Sequence, residues 1–422
     1  MFSINNQPIV IDSGTGFTKV GFAGNGAPTA IFPTAIAYPS HKRTTRSFQS
    51  LDDLDYFVGE QAFGKTDYIP TYPIQHGIIQ DWNSMERIYD YSIYQELRCN
   101  PEDHYFLITE PFNNTPENRE YTAEVMFETF NVPGMYIATQ AVLCLYANEL
   151  SKKDGGAMNS AVSGVVVDAG EGGTSIIPVA EGYVLGAAVK TLPLGGHDIS
   201  EFILRRLRER NEPVPSEDIL DAVKQVKESL CYCCGNLVKE FSAFDEDRSK
   251  FKTVSGINAR TQQKWTIDVG YEQFLAPELF FNPEILNPEY TTPLANLVDQ
   301  TIMRCPVDVR RPLYSNIVVA GGSTKFKGFD KRLSRDLKRI VKARYDANIS
   351  AVRAKLQGNL EIQGKEMEVV VKPPKKREIA SWMGGSYVAS QDEFVGACVT
   401  KAEYEEKGAK VARKNALVKV DY

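Results

Sequence analysis

The chain has 422 residues, 43% of them hydrophobic and 24% charged, with 31 Gly and 22 Pro. That length predicts several domains with ample core and excludes a single small module, a disordered chain and a collagen-like one. Forty-eight Lys+Arg against 54 Asp+Glu give a formal net charge of −6, so no global cationic field draws the chain onto nucleic acid or anionic lipid.

From the N-terminus, Met1 to Gln7 lacks a basic segment followed by a long apolar one, and no run of about 18 apolar residues follows. A cytosolic or nuclear protein without membrane insertion is expected. Next comes Ile9-Val10-Ile11-Asp12-Ser13-Gly14-Thr15-Gly16-Phe17-Thr18-Lys19-Val20, a β-branched run, an acidic residue, a tight glycine turn and a second strand-like run. This pattern predicts a β-hairpin. Residues 40 to 55, with Asp52-Asp53-Leu54-Asp55, predict an acidic loop. Gly59 to Thr66 matches a G-x-x-x-x-G-K-[ST] phosphate loop, but Pro70 and Pro73 forbid the helix that such a loop must open, so the match is a decoy.

Residues 117 to 130 and Gln140 to Leu150 carry helix signals. Then the first hairpin pattern returns 156 residues on, as Val165-Val166-Val167-Asp168-Ala169-Gly170-Glu171-Gly172-Gly173-Thr174-Ser175-Ile176. Two related lobes, each opening on such a hairpin, fit the length. Pro215 and Ser216 open a helix with Ile219, Val223, Val226 and Leu230 on one side and Asp221, Lys224 and Glu228 on another. Cys231 and Cys234 form a C-x-x-C without a second pair, which reads as buried thiols on a helix; seven scattered cysteines make a disulfide framework unexpected. A third strand-and-glycine element, Ile317 to Thr324, precedes a long amphipathic helix around Phe329 to Gln357 with eleven Lys/Arg between Lys325 and Lys355, the cationic face of a solvated helix. Lys372 to Arg377 is a basic crossover between domains, or alternatively a nuclear-import tag. Strands alternate with helices throughout, so the fold class is α/β.

A Ser-Gly-Thr-Gly turn exposes backbone N–H groups with little side-chain obstruction, and such a concavity binds anions, phosphate above all. Asp12 and Asp168, each ending an apolar strand, place two carboxylates beside it, and hard oxygen ligands near phosphate call for Mg²⁺ held through waters. Lys19 adds a point charge. Two such turns and a third Gly321-Gly322 turn predict one nucleotide gripped between two lobes.

These three elements resemble the phosphate and adenosine elements of the superfamily of actin, hexokinase and heat-shock-70 ATPases. The chain resembles actin end to end, through Thr109-Glu110-Pro111, Asn118-Arg119-Glu120, Gln140-Ala141-Val142-Leu143, Lys227-Glu228 and Trp382-Met383-Gly384-Gly385-Ser386. Longer strings, Asp52 to Gly59, Pro101 to Phe106, Asn114 to Glu124 and Val309 to Tyr314, resemble one actin-related branch of that family.

The resemblance implies a duplicated fold of two lobes, each of two subdomains, around a nucleotide cleft. Their implied bounds are 1–33, 74–147 and 380–422; 34–73; 148–195 and 285–379; and 196–284. It implies ATP with Mg²⁺, whose water shell Asp12, Gln140 and Asp168 would hold, with Gln140 and Asp168 also serving hydrolysis. Ser13, Gly14, Thr15, Lys19, Gly170, Glu171, Gly172 and Gly173 would line the phosphates; Lys224, Lys227, Glu228, Gly321, Gly322 and Lys325 would surround the adenosine. The implied work is actin nucleation and filament branching in the cytoplasm and cortical cytoskeleton. Its partners would be actin-related protein 2, small scaffold subunits, actin monomers and filaments, and nucleation-promoting activators, with no direct nucleic acid. A self-assembling actin, a nuclear remodelling subunit and a metabolite kinase are the competing readings.

Departures from the family sharpen that expectation. The second hairpin, D-S-G-D-G-V-T-H in the family, is Asp168-Ala169-Gly170-Glu171-Gly172-Gly173-Thr174-Ser175 here. The imidazole that helps order the attacking water is thus Ser175, which predicts slow or incidental hydrolysis, since one positioned acid/base group supplies ~10²-fold or more. Glu171, one methylene longer than the family's Asp, is expected to crowd the γ-phosphate. Lys325 stands where actin has Met and Glu378 where the family has Lys or Arg, predicting weaker stacking on the base. Gln391, Asp392 and Glu393 make an end surface near Tyr146, Ala147 and Val388 to Phe394 polar where the family is apolar, and Ala416 to Tyr422 departs from the family's autoinhibitory tail.

Overall fold

The hairpin echo in the sequence becomes a duplicated sheet. The computed structural model describes residues 6–40, 56–65, 67–150, 162–213, 218–258, 261–355 and 366–413. The acidic loop at Asp52 to Asp55, the helix opening at Pro215 and Ser216, Gln357 and the tail from Ala416 lie outside the described residues.

The first sheet runs, edge to edge, through Val399–Thr400, Gly134–Thr139, Phe106–Glu110, Ile9–Ser13, Phe17–Phe22 and Ala30–Pro33. The second runs through Val371–Lys372, Ile317–Ala320, Gly164–Ala169, Thr174–Ala180 and Tyr183–Val184, with Lys190–Leu192 also on Thr174–Ala180. Each has an antiparallel hairpin at its centre and a parallel strand beside the hairpin's first arm. The central strands are buried on both faces, Ile9–Ser13 throughout, which is why they read as continuous apolar runs. In register, Asp12 faces Lys19 on the neighbouring strand and Asp168 faces Ser175.

Two helices join the sheets. Gln140–Leu150 follows the strand Gly134–Thr139, and Ala380–Ala389 stands after Val371–Lys372 in the other lobe. They pack so closely that a Cβ on Gly384 would lie 1.9 Å from the Leu143 carbonyl oxygen. Trp382, fully buried, ties this pair to the first sheet by donating its indole N–H to the Val10 carbonyl at 3.1 Å.

Most predicted elements are present. The helix expected at 117 to 130 is Pro116–Glu124, capped by Thr115, whose last turns over Val125–Thr129 widen to π geometry. The amphipathic helix is Ile219–Ser229, with Val223 and Val226 buried and Asp221, Lys224 and Glu228 exposed. The long helix is Phe329–Lys355. After the decoy phosphate loop the chain forms not a helix but the edge strand Tyr68–Thr71, a position where Pro70 is tolerated.

One expectation needs correction. Cys231, Cys233 and Cys234 are buried, but not on a helix: Ile219–Ser229 ends before them, and the Tyr232 N–H donates to Gln273 while the Cys233 N–H donates to Lys327, both carbonyls outside any helix of that segment. Burial, with Glu278 adding its charge, pushes the Cys234 thiol up to about 11. The basic crossover is pinned to both lobes. Val371–Lys372 is a strand, the Lys376 ammonium donates to the Gly26 carbonyl at 3.1 Å, and Arg377 donates to the Thr324 carbonyl at 2.8 Å.

The Gly384 contact yields a prediction. Gly384→Ala forces backbone against backbone and should cost ~1–3 kcal/mol, read as a lowered thermal midpoint; a midpoint equal to that of the parent would refute the packing described.

Candidate functional site

The two hairpin turns face each other across a cleft of about 920 Å³, at the upper end of the ~300–1,000 Å³ usual for ligand pockets. Of the predicted residues, Asp12, Ser13, Gly14, Thr15, Lys19, Gln140, Asp168, Gly170, Glu171, Gly172, Gly173, Lys227, Glu228, Gly321, Gly322 and Lys325 all line it. Lys224 does not. It is exposed, with its ammonium 5.8 Å from the ring of Phe17 in the opposite lobe, because the helix phase that buries Val223 turns the next residue outward.

The floor is built on Asp12, which is fully buried. Its Oδ2 accepts from Lys19 at 2.8 Å and Ser381 at 2.6 Å, and its Oδ1 accepts from Thr109 at 2.6 Å and Gln140 at 3.0 Å. Burial works to raise its pKa, but the Lys19 charge and the hydrogen bonds prevail and hold the carboxyl below its ordinary value. Asp168 has the opposite balance. Burial first and the charge of Asp12 second push it up to about 6, with Lys19 opposing only in part. Its partner in register is Ser175, which carries no charge.

The turns approach each other almost backbone to backbone. A Cβ on Gly172 would lie 2.8 Å from the Thr15 hydroxyl, and one on Gly16 would lie 2.9 Å from the Glu171 Cβ. His76 Nδ1 is 2.7 Å from the Gly172 carbonyl oxygen, and the Gly77 N–H donates to the Thr15 hydroxyl at 2.9 Å. Beyond the turns, Lys227 donates to the Gly196 carbonyl at 3.0 Å and lies 3.5 Å from Glu171, while Ser323 donates to the Gly170 carbonyl at 2.8 Å. Gly321 takes φ +89° where its backbone passes Ala169 and Asp168, a conformation and proximity that a side chain would not allow.

This arrangement can hold a polyphosphate. The buried Ser13 hydroxyl at the end of the first strand has no hydrogen-bond partner, and a buried hydroxyl of that kind is an invitation to a ligand oxygen. Two carboxylates and an amide on the floor could hold a hard divalent ion. Among the described residues no three His, Cys, Asp or Glu gather to cage an ion directly, so the donor set suits one held through waters and phosphate oxygens.

Sequence reasoning missed Thr109 and Ser381 on Asp12, and His76 and Gly77 on the facing turns. Thr109 falls in a string already singled out as family-like. The other three come from segments far apart in the chain, and nothing local to them signals a site.

A model of the actin family matches residues 3–221 and 212–416. The chain belongs to the actin family. Actin-related protein 3 of Drosophila melanogaster is 48% identical to it over 416 residues, spanning 97% of each chain. Actin-related protein 3 of Caenorhabditis elegans is 46% identical over 420 residues, again 97% of each. The duplicated α/β architecture and the cleft between two hairpins are those of an actin-family protein, and members of this family bind nucleotide.

The turn contacts generate a second prediction. Gly172→Ala wedges Thr15 and His76 away from the second turn, and should weaken nucleotide binding about tenfold or more by the cost of displaced hydrogen bonds. Fluorescent-nucleotide titration checks this, with circular dichroism confirming the fold.

Proposed function

We propose that this actin-family chain is the ATP-binding subunit of an actin-nucleating, filament-branching complex, in which it serves with actin-related protein 2 as template for a daughter filament. The observation that carries the reading is the identity of 46 to 48% to two proteins named actin-related protein 3 across 97% of every chain compared. Small scaffold subunits, actin monomers and filaments and nucleation-promoting activators are the partners of that reading, in the cytoplasm and at the cell cortex. The four-subdomain division belongs to it too.

In this reading ATP lies with its phosphates between the turns, and Asp12, Gln140 and Asp168 hold the water shell of Mg²⁺. Held there by Asp12, Gln140 and Asp168, such an ion would supply positive charge to the phosphates and to Asp168. The Ser13 hydroxyl gains the partner it lacks. Lys19 holds Asp12 ionised, and Thr109 and Ser381 fix the carboxylate's orientation. Closing the cleft brings the lobes into the arrangement of a filament subunit, and the nucleotide biases that closure through contacts made only when both turns reach it.

Hydrolysis is slow in this reading. Ser175 lines the cleft opposite Asp168, where a hydroxyl replaces the family's imidazole. A nuclear role draws no added support from Lys372 to Arg377, since Lys376 and Arg377 bond to carbonyls of the same chain.

Affinity purification of the tagged chain with mass spectrometry should recover actin-related protein 2 and small non-actin subunits; recovery of nuclear remodelling proteins instead would overturn the proposal. For the chemistry, Ser175→His should raise single-turnover phosphate release by ~10-fold or more, within the range of one positioned acid/base group. An unchanged rate would mean that Ser175 is not what limits turnover.

A further inference from the structure

Away from the carboxylate floor, the cleft is bounded by two short 3₁₀ turns, Gly322–Lys325 and Arg377–Ile379. The backbone and one guanidinium lock these turns together. The Gly321 N–H donates to the Arg377 carbonyl at 3.0 Å, and Arg377 Nη1 donates to the Thr324 carbonyl at 2.8 Å. Across this frame Lys325 Nζ donates to Glu378 Oε1 at 3.2 Å. The two side chains are 56% and 38% exposed, so the pair adds little to the stability of the fold. Both line the cleft, beside the apolar side chains of Phe326 and Ile379.

We propose that Lys325 and Glu378 read the hydrogen-bonding edge of a purine and admit guanine nucleotides to this cleft alongside adenine nucleotides. The inference rests on the nucleotide reading above and deepens it by naming the base. An ammonium only donates and a carboxylate only accepts, so the pair presents one donor beside two acceptor oxygens on a fixed frame. Guanine answers that set with an O6 acceptor beside N–H donors at N1 and N2. The ammonium meets O6 while the carboxylate takes both donors. Adenine in the same place gives the carboxylate its N6 amino group and the ammonium its N1 acceptor, one hydrogen bond fewer than guanine. The Lys325 stem lays methylenes against the base, and a site that hydrogen-bonds a base edge discriminates by the bonds it would otherwise leave unmade.

The test is a titration of the full chain with fluorescent GTP and ATP in the presence of Mg²⁺, repeated on Glu378→Ala. Both side chains are more than a third exposed, so the variant keeps its fold, which circular dichroism checks. The parent should bind GTP within about tenfold of ATP, and Glu378→Ala should weaken both but GTP by about tenfold more than ATP, because guanine loses two hydrogen bonds to the carboxylate and adenine one. GTP binding weaker than that in the parent, or an equal loss of both nucleotides in the variant, overturns the base assignment and leaves ATP binding standing. Failure of the parent to bind either nucleotide removes the nucleotide reading and the base assignment together.

Discussion

Two carboxylates meet at the floor of one cleft, and among the described residues only Asp12 has a cation in direct contact. Duplication brings Asp12 and Asp168 there, each at the end of the first arm of a hairpin. Like charges at close quarters in a low dielectric oppose each other's ionisation. Lys19, Thr109, Gln140 and Ser381 together keep Asp12 ionised, whereas Asp168 faces Ser175 and is pushed up to about 6. The folded chain therefore carries a standing demand for positive charge between its lobes. Under the proposed reading, a divalent ion brought in with a polyphosphate would meet it.

The rest of the cleft is arranged so that such a ligand can couple the lobes. Glycine at position 172 leaves room for the Thr15 side chain and lets His76 come within hydrogen-bonding range of the Gly172 carbonyl, so the two turns meet with little slack. The hinge side is equally tight, because Gly384 seats one helix directly on the Leu143 carbonyl of the other. A body closed by small residues at both places has few intermediate positions. Under the proposed reading, small changes at the phosphates would then be passed on as movement of whole lobes.

How far the sequence carried this reading depended on how local each signal was. The hairpins were legible because a β-branched run, an acidic residue and a glycine turn lie within a dozen residues, and the 156-residue spacing exposed the duplication. The register of Asp12 against Lys19 follows from the tightness of that turn. Ser381 and His76 were not legible, since each reaches the site from a different part of the chain and a serine or a histidine alone signals nothing. Lys224 lies outside the lining but 5.8 Å from the ring of Phe17, which does line it, because the 3.6-residue period separates buried from exposed faces without saying which exposed residue looks into the cleft. The cysteines were placed on a helix because the apolar pattern of Ile219–Ser229 runs on into them, while the chain turns at Leu230 to bond with Gln273 and Lys327.

The departures from the family fall into two kinds, and the difference between them decides what the cleft has kept. Lys325 and Glu378 changed in a compensated way: a cation appears where actin has Met, an anion where the family has a cation, and the two are paired at 3.2 Å. Glu171, longer than the family's Asp, likewise finds Lys227 at 3.5 Å. The exchange of imidazole for hydroxyl at Ser175 has no such compensation, since the residue in register with it is Asp168, itself the less satisfied carboxylate. Under the proposed reading, the groups assigned to hold a nucleotide differ from the family in pairs that preserve charge balance, while the group assigned to order an attacking water is replaced without a partner. On that reading, grip on the nucleotide and turnover of it are separable properties of one cleft, and a subunit that works by lobe closure would need only the first.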